Sequence, residues 1–146
     1  MKKIIFLAIV MVLSGCASYN LDTFGYIKRN EKTVRVPAGS FGLLGELKRV
    51  LKKRGWKTKV YGGAEITEKK SNKILKYESF NSKYSLYVKS NSYDVCFNFS
   101  DVSDALYYDI SLINNKTGSE VLTLSGNGCE YTIVEKFDGA LNKITR

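Results

Sequence analysis

Tyr84-Ser85-Leu86-Tyr87-Val88-Lys89 and, further on, Leu106-Tyr107-Tyr108-Asp109-Ile110-Ser111-Leu112 carry a core-type side chain at every second position. Successive side chains in a strand point to opposite faces, so this spacing predicts strands with one face on a core. Asn114-Asn115-Lys116-Thr117-Gly118 follows and supplies a hairpin loop into Val121-Leu122-Thr123-Leu124. Between the first two strands, Asn91-Ser92 is expected to turn the chain into Tyr93, Val95, Phe97 and Phe99, and Asp101 to Asp104 to turn it once more. Ser125-Gly126-Asn127-Gly128 is expected to break the sheet ahead of Cys129.

Upstream, Thr33-Val34-Arg35-Val36 and the alternation of Trp56, Thr58 and Val60 predict two short strands. Gly62-Gly63 ends the second, residues 64–73 are polar and lysine-rich, and Ile74 to Phe80 is an ambiguous strand. Leu43, Leu44, Leu47, Val50 and Leu51 form one stripe of a helix, with Ser40 as expected N-cap, Lys52, Lys53 and Arg54 at its negative end and Gly55 closing it. A last helix is predicted from Ile133, Phe137, Ala140, Leu141 and Ile144, opened by a Thr132/Glu135 capping box. The expected fold is therefore α+β: an antiparallel-rich sheet of about five to seven strands with two helices packed on one face.

The chain begins differently. Lys2 and Lys3 precede an unbroken apolar run, Ile4 to Leu13, and Ser14-Gly15 puts two small residues before Cys16. Such an order is an export signal. A helix of ten apolar residues rises only about 15 Å, half of a ~30 Å hydrocarbon core, so it makes a poor permanent span. Leu13-Ser14-Gly15-Cys16 resembles the lipobox of bacterial lipoproteins, Leu-Ala/Ser-Gly/Ala-Cys. That resemblance covers residues 1–16 and implies diacylglycerol on the Cys16 sulfur, removal of the signal and fatty acylation (palmitate-type) of the new amino group. Ala17 rather than Asp after the cysteine implies the outer membrane, with the domain facing the periplasm. The expected organisation is a signal peptide over residues 1–15, a lipidated N-terminus and tether over 16–31, and one α+β domain over 32–146. Phe24, Tyr26 and Ile27 are residues of the tether that could dock on the domain.

Charge is uneven. From Glu46 to Lys76 there are eleven basic residues against three acidic, a net +8, whereas Tyr77 to Arg146 has six basic against nine acidic, a net −3. A basic third invites an anionic partner, namely a lipid headgroup, an envelope polymer or an acidic protein face. Lys48, Arg49, Lys52, Lys53, Lys57 and Lys59 are the candidate contacts; a solvated helix face is the plainer account of the same residues. Nucleic acid is not an expected partner of an exported domain.

Cys96 and Cys129 remain as a pair once Cys16 is assigned to lipid, and an oxidising compartment favours a structural disulfide. The sequence has no histidine, which removes the commonest general base and transition-metal ligand. Asp101 and Asp104 read as turn residues, and Asp109 is a site candidate only if it faces the core. No catalytic residue, metal or cofactor is expected. The leading expectation is a non-enzymatic, lipid-anchored interaction module of the bacterial envelope. A small-ligand-binding or enzymatic periplasmic domain, and a surface-exposed structural or exclusion lipoprotein, are the alternatives.

Overall fold

A computed structural model describes residues 18–61, 82–98 and 101–146; the lipobox, the Gly62–Phe80 stretch and Phe99 lie outside the described residues. Within them the strands are β1 (Tyr19–Thr23), β2 (Thr33–Pro37), β3 (Lys57–Tyr61), β4 (Tyr84–Asn98), β5 (Asp101–Asn114) and β6 (Glu120–Cys129), joined in one sheet of order β1-β6-β5-β4-β2-β3. Helices α1 (Gly42–Lys53) and α2 (Glu130–Ile144) pack against each other on one face, so the fold is α+β. The sheet is mixed: β1, β6, β5 and β4 pair antiparallel, whereas β2 runs parallel to both β3 and β4. Parallel neighbours need a crossover. The leucine-striped helix α1 is that crossover between β2 and β3.

Val34, Val36, Leu86, Ile110, Leu112, Leu122 and Leu124 from the sheet meet Leu43, Leu47 and Leu51 of α1 and Ile133, Phe137 and Leu141 of α2 in one buried cluster. Full burial of each such side chain contributes about 1.5–3 kcal/mol, so this cluster supplies most of the drive to fold. Trp56 closes it at one side, edge-on to Tyr84 with ring centroids 5.7 Å apart.

Several expected boundaries moved, each for a local reason. α1 takes Phe41, not Ser40, as its N-cap position, with no side-chain cap; Gly45 lies so close to the Ser40 carbonyl that a Cβ there would fall 2.2 Å from the oxygen. β6 passes directly into α2 at Glu130, which puts Thr132 and Glu135 inside the helix rather than at a capping box. Asn91-Ser92 is not a turn, because β4 continues through it beside β5 with a bulge at Tyr93. Asp101 and Asp104 likewise lie in β5. Ser125–Gly128 does not break the sheet. Gly126, at φ +146, is where β1 approaches: Tyr19 pairs with it, and a Cβ there would fall 2.2 Å from the Ser18 carbonyl oxygen. Such close backbone approach is a recurrent reason for glycine within a strand.

The segment read as tether thus contains β1, and Ile27 beyond it is fully buried, bridged to Thr145, while Phe24 and Tyr26 stay exposed. Cys96 and Cys129 form a disulfide with Cα atoms 5.7 Å apart. The bulge makes this possible: one extra residue in β4 reverses which side chains face which way, and puts Cys96 on the sheet side that Cys129 occupies.

The topology gives the sheet two unlike ends. Both helices begin at the end that carries Ser18, the disulfide and the tips of β4 and β5. Both finish at the other, beside Thr33, Lys57 and Thr145.

Candidate functional site

The end where the helices finish is strongly cationic. Arg29 and Lys32 reach it from the short 3-10 turn (Arg29–Glu31) and its flank, Lys53 and Arg54 from the close of α1, and Asp138, Asn142 and Thr145 from α2 and just beyond it; together they line an open groove of about 570 Å³. Among the described residues that line it, four cations face one carboxylate. Gly55, at φ +77, lets the chain leave α1 sharply enough to hold Arg54 over α2. Arg54 donates from Nη2 to Asp138 Oδ2 at 2.8 Å and from Nη1 to Asn142 Oδ1 at 3.0 Å, with a second Nε contact to Asp138. Lys32 Nζ caps the Arg54 carbonyl at 2.9 Å. The paired guanidinium holds the Asp138 carboxyl below the ordinary range, and the hydrogen bond to that carboxylate raises the Arg54 guanidinium in turn. Asp138 is thereby occupied, so among the described residues the groove presents uncompensated positive charge.

The six lysine and arginine residues expected as anionic-partner contacts are distributed over α1 and β3. Lys48 donates to the Gly39 carbonyl, and Arg49 pairs with Glu46 one turn earlier. Lys52 is exposed at the end of α1, and Lys57 and Lys59 lie on the edge strand β3. Only Lys53 lines the groove. Lys57 follows closely, its backbone N–H donating to the Lys32 carbonyl at 2.9 Å. Arg29 and Lys32 fall in a segment with no periodicity, and Arg54 at a helix end, where cations collect for structural reasons, so their local sequence carries no signal for a site.

The sheet face away from the helices is polar and tyrosine-bearing. Tyr87, Tyr93 and Tyr107 are exposed there, the last two with ring centroids 4.4 Å apart, while Tyr84 and Tyr108 belong to the core. Asp109 also faces outward, opposite Lys89, beside a shallow depression of about 230 Å³. Among the described residues no group of three or more His, Cys, Asp or Glu side chains could hold a metal, and no helix is long and apolar enough to cross a membrane.

These features define a class: an α+β domain with helices on one side of a mixed sheet, a cationic end and an exposed sheet face. Solved structures with the same fold are PelC from Paraburkholderia phytofirmans, a dodecamer, which is 11% identical over 90% of this chain and 99% of that one at a TM-score of 0.57, and a point variant of that protein, also a dodecamer, at 9% identity, 88% and 97% coverage and a TM-score of 0.54. At such identity the likeness is one of fold. No protein-family model matches the chain, and no curated protein does.

Proposed function

We propose that this chain is a non-catalytic lipoprotein of the bacterial envelope, held at the outer membrane by acyl chains on Cys16 and facing the periplasm, where its cationic end binds an anionic envelope polymer. The observation that carries the reading is the Arg29, Lys32, Lys53 and Arg54 groove, set at the end of the sheet opposite Ser18, where the chain arrives from Cys16. A domain tethered at one end and charged at the other holds its cations away from its own anchor. An acidic protein face is the second partner with the required charge. The fold neighbours are dodecamers, and repetition of the groove around a ring would multiply weak contacts into useful avidity. Oligomeric state therefore belongs in the test.

The test is affinity electrophoresis of the purified chain through gels containing polygalacturonate, a carboxylated polymer, with light scattering run in parallel. Retardation is expected at low salt and should fade as salt rises, since exposed charges are screened. Arg29→Ala with Lys53→Ala should weaken retention about tenfold, on roughly 0.5–1 kcal/mol per exposed contact, and Lys48→Ala with Arg49→Ala should not. Equal retention of both double variants sinks the groove. For the anchor, mass spectrometry of the mature amino-terminal peptide should find acyl chains on Cys16, and Cys16→Ser should lack them.

A further inference from the structure

The far halves of β4 and β5 form a hairpin arm with an exposed apolar side. Phe97 is 82% exposed and lies directly opposite Val102, 62% exposed; Val95, two residues along the same side, is 47% exposed. Before the bulge the same strand buries Tyr84 and Leu86 under the helices. The arm keeps the period-two apolar pattern and has run past the helices that would bury it. Phe41, 93% exposed, sits at the same end: it precedes Gly42, where a Cβ would lie 3.9 Å from the Glu130 carboxylate, and Glu130 in turn feels the charge of Asp104 opposite Val95. Ser18 is at this end as well, its N–H and hydroxyl both donating to Asn127 Oδ1, at 3.0 and 2.7 Å. Cys16 precedes Ser18 by two residues, so their Cα atoms are at most about 7–8 Å apart.

We propose that this end of the molecule rests on the bilayer, with Phe41, Val95, Phe97 and Val102 seated at the boundary between headgroups and acyl chains. The proposal rests on the reading of Cys16 as the lipidated residue, because that residue delivers this end to a membrane. An exposed apolar patch on a domain so delivered has a hydrocarbon surface within reach. Partition of the side chains adds to the affinity of acyl chains that individually anchor only marginally. Asp101 pairs with Asn98 at the tip and Asp104 lies directly opposite Val95, and a carboxylate is costly in hydrocarbon. The contact is therefore shallow, and the surface is zwitterionic rather than anionic. The disulfide fixes the root of the arm to the start of α2, so the arm meets the surface at a set angle. The cationic groove then faces away from the membrane.

The test is photolabelling of the mature chain, purified from membranes, in phosphatidylcholine vesicles doped with a diazirine-bearing phospholipid, with adducts mapped by mass spectrometry. Adducts should concentrate in the peptides carrying Phe41, Val95, Phe97 and Val102 and be scarce around Arg29, Lys32 and Lys53. Phe97→Ser with Val102→Ser, on a chain whose circular dichroism and melting are unchanged, should cut labelling of the arm about tenfold while the amino-terminal peptide stays labelled. The same spectra weigh that peptide. Acyl chains present with an unlabelled arm would overturn the membrane contact and leave the anchor standing; a labelled arm without acyl chains would overturn the anchor alone. Light scattering without vesicles that found a stable oligomer, dissolved by the double serine variant, with the arm unlabelled in lipid, would assign the patch to a second copy of this chain and overturn the proposal.

Discussion

Gly126 carries more of the fold than its size indicates. Its missing side chain is the space that the Ser18 carbonyl and the Tyr19 backbone occupy, and its φ of +146 suits few other residues. Gly126→Ala is expected to push β1 off the edge of the sheet and cost about 1–3 kcal/mol in urea unfolding. A change below about 0.5 kcal/mol would mean that β1 contributes little to the folded state. The bulge at Tyr93 is a second single-residue decision, since without the extra residue Cys96 would face away from Cys129.

At the scale of elements, the long β4–β5 hairpin is held at both ends by different means. Near the base it is flanked by β2 and β6, with the core beneath; toward the tip it depends on the disulfide. Bridging residues 33 apart contributes roughly 3–4 kcal/mol in the chain-entropy account. Cys96→Ser with Cys129→Ser should lower stability by about that amount and should speed amide exchange in residues 93–104 more than in residues 84–90. Uniform acceleration along β4 would show that the bridge stabilises the whole domain without fixing the arm.

Over the whole molecule, two carboxyls set opposing dependences on acid. Asp138 is held below its ordinary value of 3.8 by its hydrogen bonds to Arg54. Its stabilisation is present above 3.8 and is lost as pH falls through the lower folded value. Glu130 is raised above 4.5, first by burial and then by Asp104. Its charge destabilises the folded chain at neutral pH, and the penalty is relieved as pH falls through the raised value toward 4.5. Melting temperature should therefore rise slightly on mild acidification and fall below about pH 3.8. Glu130→Gln should remove the rise and Asp138→Asn the fall; a Glu130→Gln chain that kept the rise would assign it to another group.

By itself the sequence determined the kinds of element and most of their order. Two amphipathic helices, the strands around Leu86, Ile110 and Leu122, the Asn114–Gly118 hairpin and the Cys96–Cys129 pair could all be read from periodicity and composition, because those signals are local. Strand direction, the pairing of β1, the bulge and the gathering of Arg29 and Lys32 with Lys53 and Arg54 were decided only by the tertiary structure. Each depends on which segments become neighbours. The apolar alternation of Val95 and Phe97 is the same as that of Tyr84 and Leu86, yet one pair is exposed and the other buried. A period of two states that a strand has two unlike faces; whether a helix arrives to cover one of them is a matter of where the chain has led the helix.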